Sequence, residues 1–524
     1  MTKNSFQSLT HSLFLFRKVI PGSFDKEEMK KAYLNKMCSP QEPADENFLR
    51  FCKKEIKGMF RKGWDNSYRK RAARLIFSTS ATVDSPARMG GARGKNENLR
   101  HVRRVALGFE EGVCSPVRIE VIPEGVKARL VTVSSEIQFA LKPLHDLIYD
   151  HLSKNEWLLR GEAKPCSFRE FTEREGEVFV SGDYVSATDN LKLDVYQTVL
   201  GSILGQGANI PSSVKDYAMR HSVSELYYEG SPCLGTQKRG QLMGNFLSFP
   251  ILCLINYLAF IYAGGKGYPV RINGDDIVFR APRWVKERWE LSTRIAGLVI
   301  HKGKTMIDKQ FFSLNSTLFR GTTKVRLVPF IRSKPLFKKA EKPCELAGKY
   351  GSLCPGFNGC LRRRLQCFFL RRNSKLIYLS QRSLIRGHGM RVPYSVLSEC
   401  GLLARERFYL RAPSEEPLLI DPPDKASSPR VEGFQSMVIS GLPSEEKKLW
   451  RMESKAFGLA CRLYAQCPVV FPTFRENLQR GTSPYLKPNL RLLGKLKKWV
   501  KYGHWYRDPP PQGRKSDGRE KERA

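Results

Sequence analysis

Two adjacent carboxylates, Asp275 and Asp276, sit in the stretch Ile272-Asn273-Gly274-Asp275-Asp276-Ile277, between short apolar runs. Side by side, such groups repel each other unless a proton or a cation stands between them. A divalent metal ion is the economical cation. The competing reading is a solvated hairpin tip, because so short a motif also arises by chance. A third carboxylate weighs against chance: Asp183 closes the β-forming run Glu177-Val178-Phe179-Val180-Ser181-Gly182. An acid placed where a strand ends is a natural second metal ligand. Asp189, a little further on, keeps two readings, a site residue or the N-terminal cap of a helix over Leu191 to Leu200.

The elements that would carry these acids are legible nearby. Val270 to Ile272 alternates apolar and charged residues, Ile277 to Phe279 are β-formers, and Asn-Gly between them is strong turn chemistry. The stretch therefore reads as strand, tight turn, strand. Between the two acid sites lies Arg239 to Pro250, in which Gly240 and Gly244 give a loop whose backbone can approach a ligand closely. From Phe246 to Ala263 no charged residue occurs. By length this could be a membrane span. Pro250 in a first turn and Asn256 in the middle instead favour a buried helix, apolar all round, behind a sheet.

Taken in order, the three stretches "SGDYVSATDNL", "RGQLMGNFLSFPILCL" and "INGDDIVF" resemble motifs A, B and C of viral RNA-dependent RNA polymerases. More narrowly they look like the ourmia-like branch (botourmiaviruses), related to narnaviruses and mitoviruses. The close resemblance covers residues 120–320. It implies an α+β right-hand polymerase of fingers, palm and thumb, with an antiparallel-sheet palm. It also implies a metal set of Asp183, Asp275 and Asp276 holding two Mg²⁺ ions (Mn²⁺ could substitute), and an RNA template, an RNA product and ribonucleoside triphosphates as partners. Reverse transcriptases share that palm but usually carry an aromatic residue where Asn273-Gly274 stands here.

The resemblance extends to further residues. The hairpin around Pro123 to Lys127 looks like motif F, with Lys127 and Arg129 facing the triphosphate. Cations fixed there would stabilise the charge that develops on the leaving pyrophosphate; two solvated strand cations are the plainer alternative. Val299 to Thr305 resembles motif D, whose lysine protonates pyrophosphate, with Lys304 preferred over Lys302. Phe311 to Arg320 looks like motif E, the turn that supports the growing RNA end. For ribose selection the family places Thr and then Asn after the motif B glycine, and here the chain departs. Ser248 can serve for Thr, Leu252 has no polar group, and Asn256 lies roughly 6 Å further along a helix axis. Asp189 with Ser248 is therefore the expected sugar reader, and Gly240 and Gly244 the loop beside it.

The bulk properties agree with a polyanionic partner. Lys and Arg number 89 against 51 acids, a net charge of +38 spread over 524 residues. An excess distributed in this way points to nucleic acid, although a non-catalytic RNA-binding or coat protein would also carry it. Thirteen cysteines without a close pair suit buried free thiols in a reducing compartment. The expected location is the host cytoplasm, with the mitochondrion as alternative; no stable membrane span and no obligate protein partner are expected. The domain reading runs from an N-terminal extension packed on the fingers (1–115) through fingers with the motif F hairpin (116–174) to the motif A palm (175–200). A fingers insertion (201–239), the remaining palm (240–325), a thumb and C-terminal region (326–508) and a basic disordered tail (509–524) follow. Within it, Arg88 to Arg104 reads as a basic loop, Leu361 to Arg386 as an arginine-rich helix, and Pro413 to Pro429 as a linker.

Overall fold

The computed structural model describes residues 2–93, 96–231 and 234–410; the expected linker at Pro413 to Pro429 and the 509–524 tail lie outside them. Two compact units divide the chain. The first takes in Met1–Phe337 with Cys354–Phe357, and the second Lys338–Leu353 with the described residues from Asn358 on.

The first unit carries the strands β1 (Val117–Glu124), β2 (Lys127–Val133), β3 (Glu177–Gly182), β4 (Glu225–Tyr227), β5 (Gly235–Thr236), β6 (Val270–Asn273), β7 (Asp276–Pro282), β8 (Met306–Asp308), β9 (Phe311–Leu314), β10 (Thr317–Gly321) and β11 (Val325–Leu327). They form three sheets, ordered β2-β1-β4-β5, β6-β7-β3-β8 and β11-β10-β9. The β6-β7-β3-β8 sheet is antiparallel throughout, so the α+β class and the antiparallel central sheet are present.

Side-chain period explains why β3 and β7 are central. Successive residues of a strand face opposite sides, and here both sides are apolar. Val178, Val180, Ile277 and Phe279 join one core with Ile251, Leu254, Val285 and Trp289 of the helices Ser248–Phe260 and Arg283–Ile295. Phe179 and Val278 point the other way, into a second core with Phe168, Phe171, Phe312 and Phe319. A strand buried on both faces reads as a continuous hydrophobic run, as Val178-Phe179-Val180 does. The uncharged stretch forms the helix Ser248–Phe260 and continues as a wider turn over Ile261–Gly265. Ser248–Gly265 is long and apolar enough to cross a membrane, but 78% of it is buried within the protein, as in the core helix of a globular domain.

Two expectations change. The basic loop is in part a helix, Asn96–Ala106, because Leu99, Val102 and Val105 recur at helical spacing and are buried beneath the arginines. In the second unit, the helix expected over Leu361 to Arg386 is two, Gly359–Arg372 and Ser374–Leu379. The break falls at Asn373, whose side chain accepts from the Ala340 N–H at 2.9 Å and donates to the Phe369 carbonyl at 2.8 Å. An asparagine that bonds the backbone in this way competes with the helix ladder. A surface depression of about 600 Å³ in this unit is lined by Lys339, Arg364, Arg371, Arg372 and Lys375 with Glu399.

Candidate active site

Asp183 follows β3 directly, and the pairing of Gly182 with Ile277 sets it beside the turn between β6 and β7. Asn273 and Asp276 close that turn as a pair, with Gly274 at φ 66°. Glycine takes the left-handed conformation freely, as a two-residue hairpin turn of this kind requires. Behind the turn, the Ser248–Phe260 helix satisfies both polar groups of Gly274. Its N–H donates to Cys253 Sγ at 3.1 Å, and its carbonyl accepts from Asn256 Nδ2 at 3.3 Å. The other end of the Asn256 amide accepts from the Tyr184 hydroxyl at 2.8 Å. One helix therefore holds the segment bearing Asp183 and the segment bearing Asp275 and Asp276.

The three acids interact through their charges. Asp275 reaches solvent at the mouth of the site although protein surrounds it on most sides. Lost hydration first, and the Asp183 charge second, raise its pKa above the ordinary value. Asp276 is pushed up to about 7 by burial, then by Asp275 and Asp183. Opposing this, the backbone of Asn315 and the Lys18 charge lower it. In the β9–β10 turn on that side, Asn315 and Ser316 both have positive φ.

Cations converge on these acids from separate elements. Lys304 Nζ stands 3.0 Å from Asp183 Oδ2. Its turn is bonded back onto the strand end, with the His301 N–H donating to the Asp183 carbonyl at 2.8 Å. Lys302 has no carboxylate partner within 4 Å among the described residues. Lys127 has its pKa lowered by burial, then by Lys304 and Arg17, with Asp183 opposing. Arg129 pairs with Glu124 Oε2 at 2.5 Å, and its charge acts on Asp275. The β1–β2 hairpin thus brings both of its predicted cations to the acids.

The glycine loop makes the close approach its spacing predicts, but to the chain itself. A Cβ on Gly240 would come within 2.6 Å of the Asp189 carbonyl oxygen, and one on Gly244 within 2.2 Å of the Thr132 carbonyl oxygen. The Gln241 N–H donates to the Thr188 carbonyl at 2.7 Å, and the Thr132 N–H to the Met243 carbonyl at 2.9 Å. The loop therefore joins the segment after Asp183 to the β1–β2 hairpin. Ser248 Oγ donates to Gln241 Oε1 at 3.4 Å, so Ser248 and Asp189 flank the same loop.

Asp189 is not a cap. The helix after it starts at Leu193 with Lys192 in the cap position, and Asp189 lies in the short helix Ala187–Asn190. Its Oδ2 pairs with Lys36 Nζ at 3.1 Å and its Oδ1 accepts from Thr188 Oγ1 at 3.2 Å. Lys36 is one of several site residues for which the sequence gives no signal. Another is Gln41, which donates to the Asn190 carbonyl at 2.9 Å and accepts from the Gly240 N–H at 3.4 Å. Both belong to the 1–115 segment, which reaches well into the site.

Among the described residues, no group of three or more His, Cys, Asp or Glu side chains is drawn together closely enough to hold a metal ion. The three carboxylates nonetheless act on one another through their charges. Asp183 and Asp275 raise the pKa of Asp276, and any positive charge placed among these oxygen donors relieves that repulsion, as Lys304 does at Asp183.

The chain is similar to the protein named "RNA-dependent RNA polymerase" of Ourmia melon virus (isolate Melon/Iran/VE9), at 27% identity over 67% of this chain and 49% of that protein. It spans about half the length of the curated relative it matches. No family model matches it. The likeness agrees with the ourmia-like resemblance of the three motifs.

Proposed function

We propose that this chain is an RNA-directed RNA polymerase that copies the genome of a positive-strand RNA virus by nucleotidyl transfer from ribonucleoside triphosphates. The observation that carries the reading is the meeting of Asp183, Asp275 and Asp276 at one end of adjacent antiparallel strands, under Lys304, Lys127 and Arg129. The likeness to the Ourmia melon virus polymerase supports it independently. In this reading the β6-β7-β3-β8 sheet is the palm and the β1–β2 hairpin belongs to the fingers. The thumb begins after β11, and its arginine-rich depression suits a nucleic-acid backbone. Work in the host cytoplasm is part of the same proposal.

The roles follow from charge and position. Two Mg²⁺ ions held by Asp183, Asp275 and Asp276 would lower the pKa of the attacking 3′-hydroxyl and neutralise the triphosphate. Lys127 and Arg129 bind the triphosphate with fixed positive charge, in line with electrostatic stabilisation of the leaving group. Lys304, once released from Asp183, has a proton to give to the pyrophosphate. Asp189 and Ser248 stand beside the glycine loop to read the sugar.

Primer extension with purified protein, Mg²⁺ and labelled ribonucleotides tests the reading. Asp183→Ala and Asp275→Ala should abolish incorporation while RNA binding stays largely intact, because the basic surface supplies most of the affinity. Near-normal incorporation by either folded variant would overturn the assignment.

A further inference from the structure

The N-terminal helix Lys3–Phe16 lies along the β9–β10 hairpin. His11 Nε2 bonds the Ser316 carbonyl at 3.1 Å, Ser12 Oγ accepts from the Ile331 N–H at 3.0 Å, and the Lys3 ammonium sits 5.3 Å from the centre of the Phe311 ring. Just past the helix end, Lys18 Nζ donates to Ser316 Oγ at 3.0 Å. The tip of the other hairpin presses on the same residues. A Cβ on Gly125 (φ 64°) would come within 2.8 Å of the Lys18 carbonyl and 2.9 Å of the Arg17 carbonyl oxygen. Arg17 and Lys18 are thus pinned where the β1–β2 and β9–β10 hairpins approach each other.

Lys18 stands where the Asp276 charge acts on it, and Arg17 where its own charge acts on Lys18 and Lys127. Among the described residues neither has an acidic partner within 4 Å; Arg17 stacks on Phe14 at 3.7 Å. Lys18 feels Glu124 and Asp276 as attractive charges and Arg17 and Arg332 as repulsive ones, and burial weighs against its charge more than any of these. Glu124 is already committed to Arg129. A half-buried ammonium in such a place calls for another anion.

We infer that Arg17 and Lys18 bind a phosphate group of the reacting substrates, so that the N-terminal arm contributes to the substrate site. The inference rests on the polymerase reading for its choice of ligand. Phosphate can come from two sources there, the incoming nucleotide or the RNA strand, and direct contact with either is served by a positive charge on a short tether.

The test uses the full chain with Lys18→Gln, Arg17→Gln and Lys18→Arg, and reads binding rather than turnover. RNA affinity is titrated against salt with a short labelled RNA, and nucleotide affinity with a fluorescent ribonucleoside triphosphate in the presence of RNA. If the RNA strand supplies the phosphate, each Gln variant lowers the slope of log affinity against log salt by about 1 and leaves nucleotide affinity unchanged. If the nucleotide supplies it, nucleotide affinity falls several-fold and the RNA slope stays. In both cases Lys18→Arg keeps most of the wild-type value, which a loss of arm docking would not explain. Unchanged slope and unchanged nucleotide affinity in both Gln variants overturn the inference. Equal losses in Lys18→Arg and Lys18→Gln also overturn it, by assigning Lys18 a purely structural role. Should Lys18→Gln not fold, Arg17→Gln decides alone. Because no readout needs incorporation, an inactive enzyme that keeps the wild-type binding pattern would count against the polymerase reading and leave this inference standing.

Discussion

The Tyr184 hydroxyl donates to Asn256 Oδ1, and both side chains are buried, Asn256 completely. Burial raises the Tyr184 pKa, which keeps the phenol neutral and able to donate. With Asn256 Nδ2 on the Gly274 carbonyl and Cys253 Sγ on its N–H, the helix fixes the residue after Asp183 and the residue before Asp275 to one frame. Removing the hydroxyl in Tyr184→Phe should cost about 1 kcal/mol. Asn256→Ala, which leaves the Tyr184 hydroxyl and the Gly274 carbonyl both unpaired in the interior, should cost about 3 kcal/mol. Urea unfolding of the two variants measures this. A smaller loss for Asn256→Ala than for Tyr184→Phe would show that the amide is not the shared partner.

Ribose selection should not involve Asn256, because both ends of its amide are used inside the protein. Asp189→Ala and Ser248→Ala should each lower the preference for ribo- over deoxyribonucleotides, Asp189→Ala by about tenfold or more, since discrimination relies on a polar group left unpaired by the wrong sugar. Lys36→Met should share part of that loss through its pairing with Asp189. The ratio of incorporation efficiencies is the measurement, and a larger effect from Asn256→Ala at a temperature where it is folded would reverse the assignment.

The raised carboxylates set a pH dependence. An unfolded aspartate titrates near 3.9, whereas Asp276 in the folded chain is held at about 7 by burial and by Asp275 and Asp183. Between those values the native state binds more protons than the unfolded one, so the contribution of Asp276 to stability is greatest at acid pH and is lost as pH rises towards 7. In metal-free buffer, Asp276→Asn should flatten the fall in stability across that window. Added Mg²⁺ should raise Tm more at about pH 8 than at about pH 5, because cations bind the ionised form. A thermal-shift series with and without chelator reads both effects; a Mg²⁺ shift that Asp183→Asn and Asp275→Asn leave untouched would assign the ion elsewhere.

The Ser248–Gly265 segment should behave as part of a folded core. It is mostly buried, and its polar members are used internally, Ser248 by Gln241 and Asn256 by Tyr184. Alkaline extraction of membranes from expressing cells should release the protein. Retention in the pellet that disappears when this segment is replaced would contradict the expectation.

Much of the site was legible in the sequence because its signals are local. Asn273-Gly274 states its turn, Val178-Phe179-Val180 its strand, and the uncharged run from Phe246 its buried helix, since each depends on the residues next to it. The helix Asn96–Ala106 was equally local but hidden under its arginines. What the tertiary structure alone decided depends on pairs distant in sequence. Asp189 is joined to Lys36, 153 residues away, and Ser316 to Lys18, 298 residues away. That Lys304 rather than Lys302 pairs with Asp183 follows from which side of one turn meets it, and the internal role of Asn256 from which helix face lies under Gly274. No spacing rule encodes such meetings, because they arise only when strand register and helix packing bring separate segments of chain to the same few ångströms.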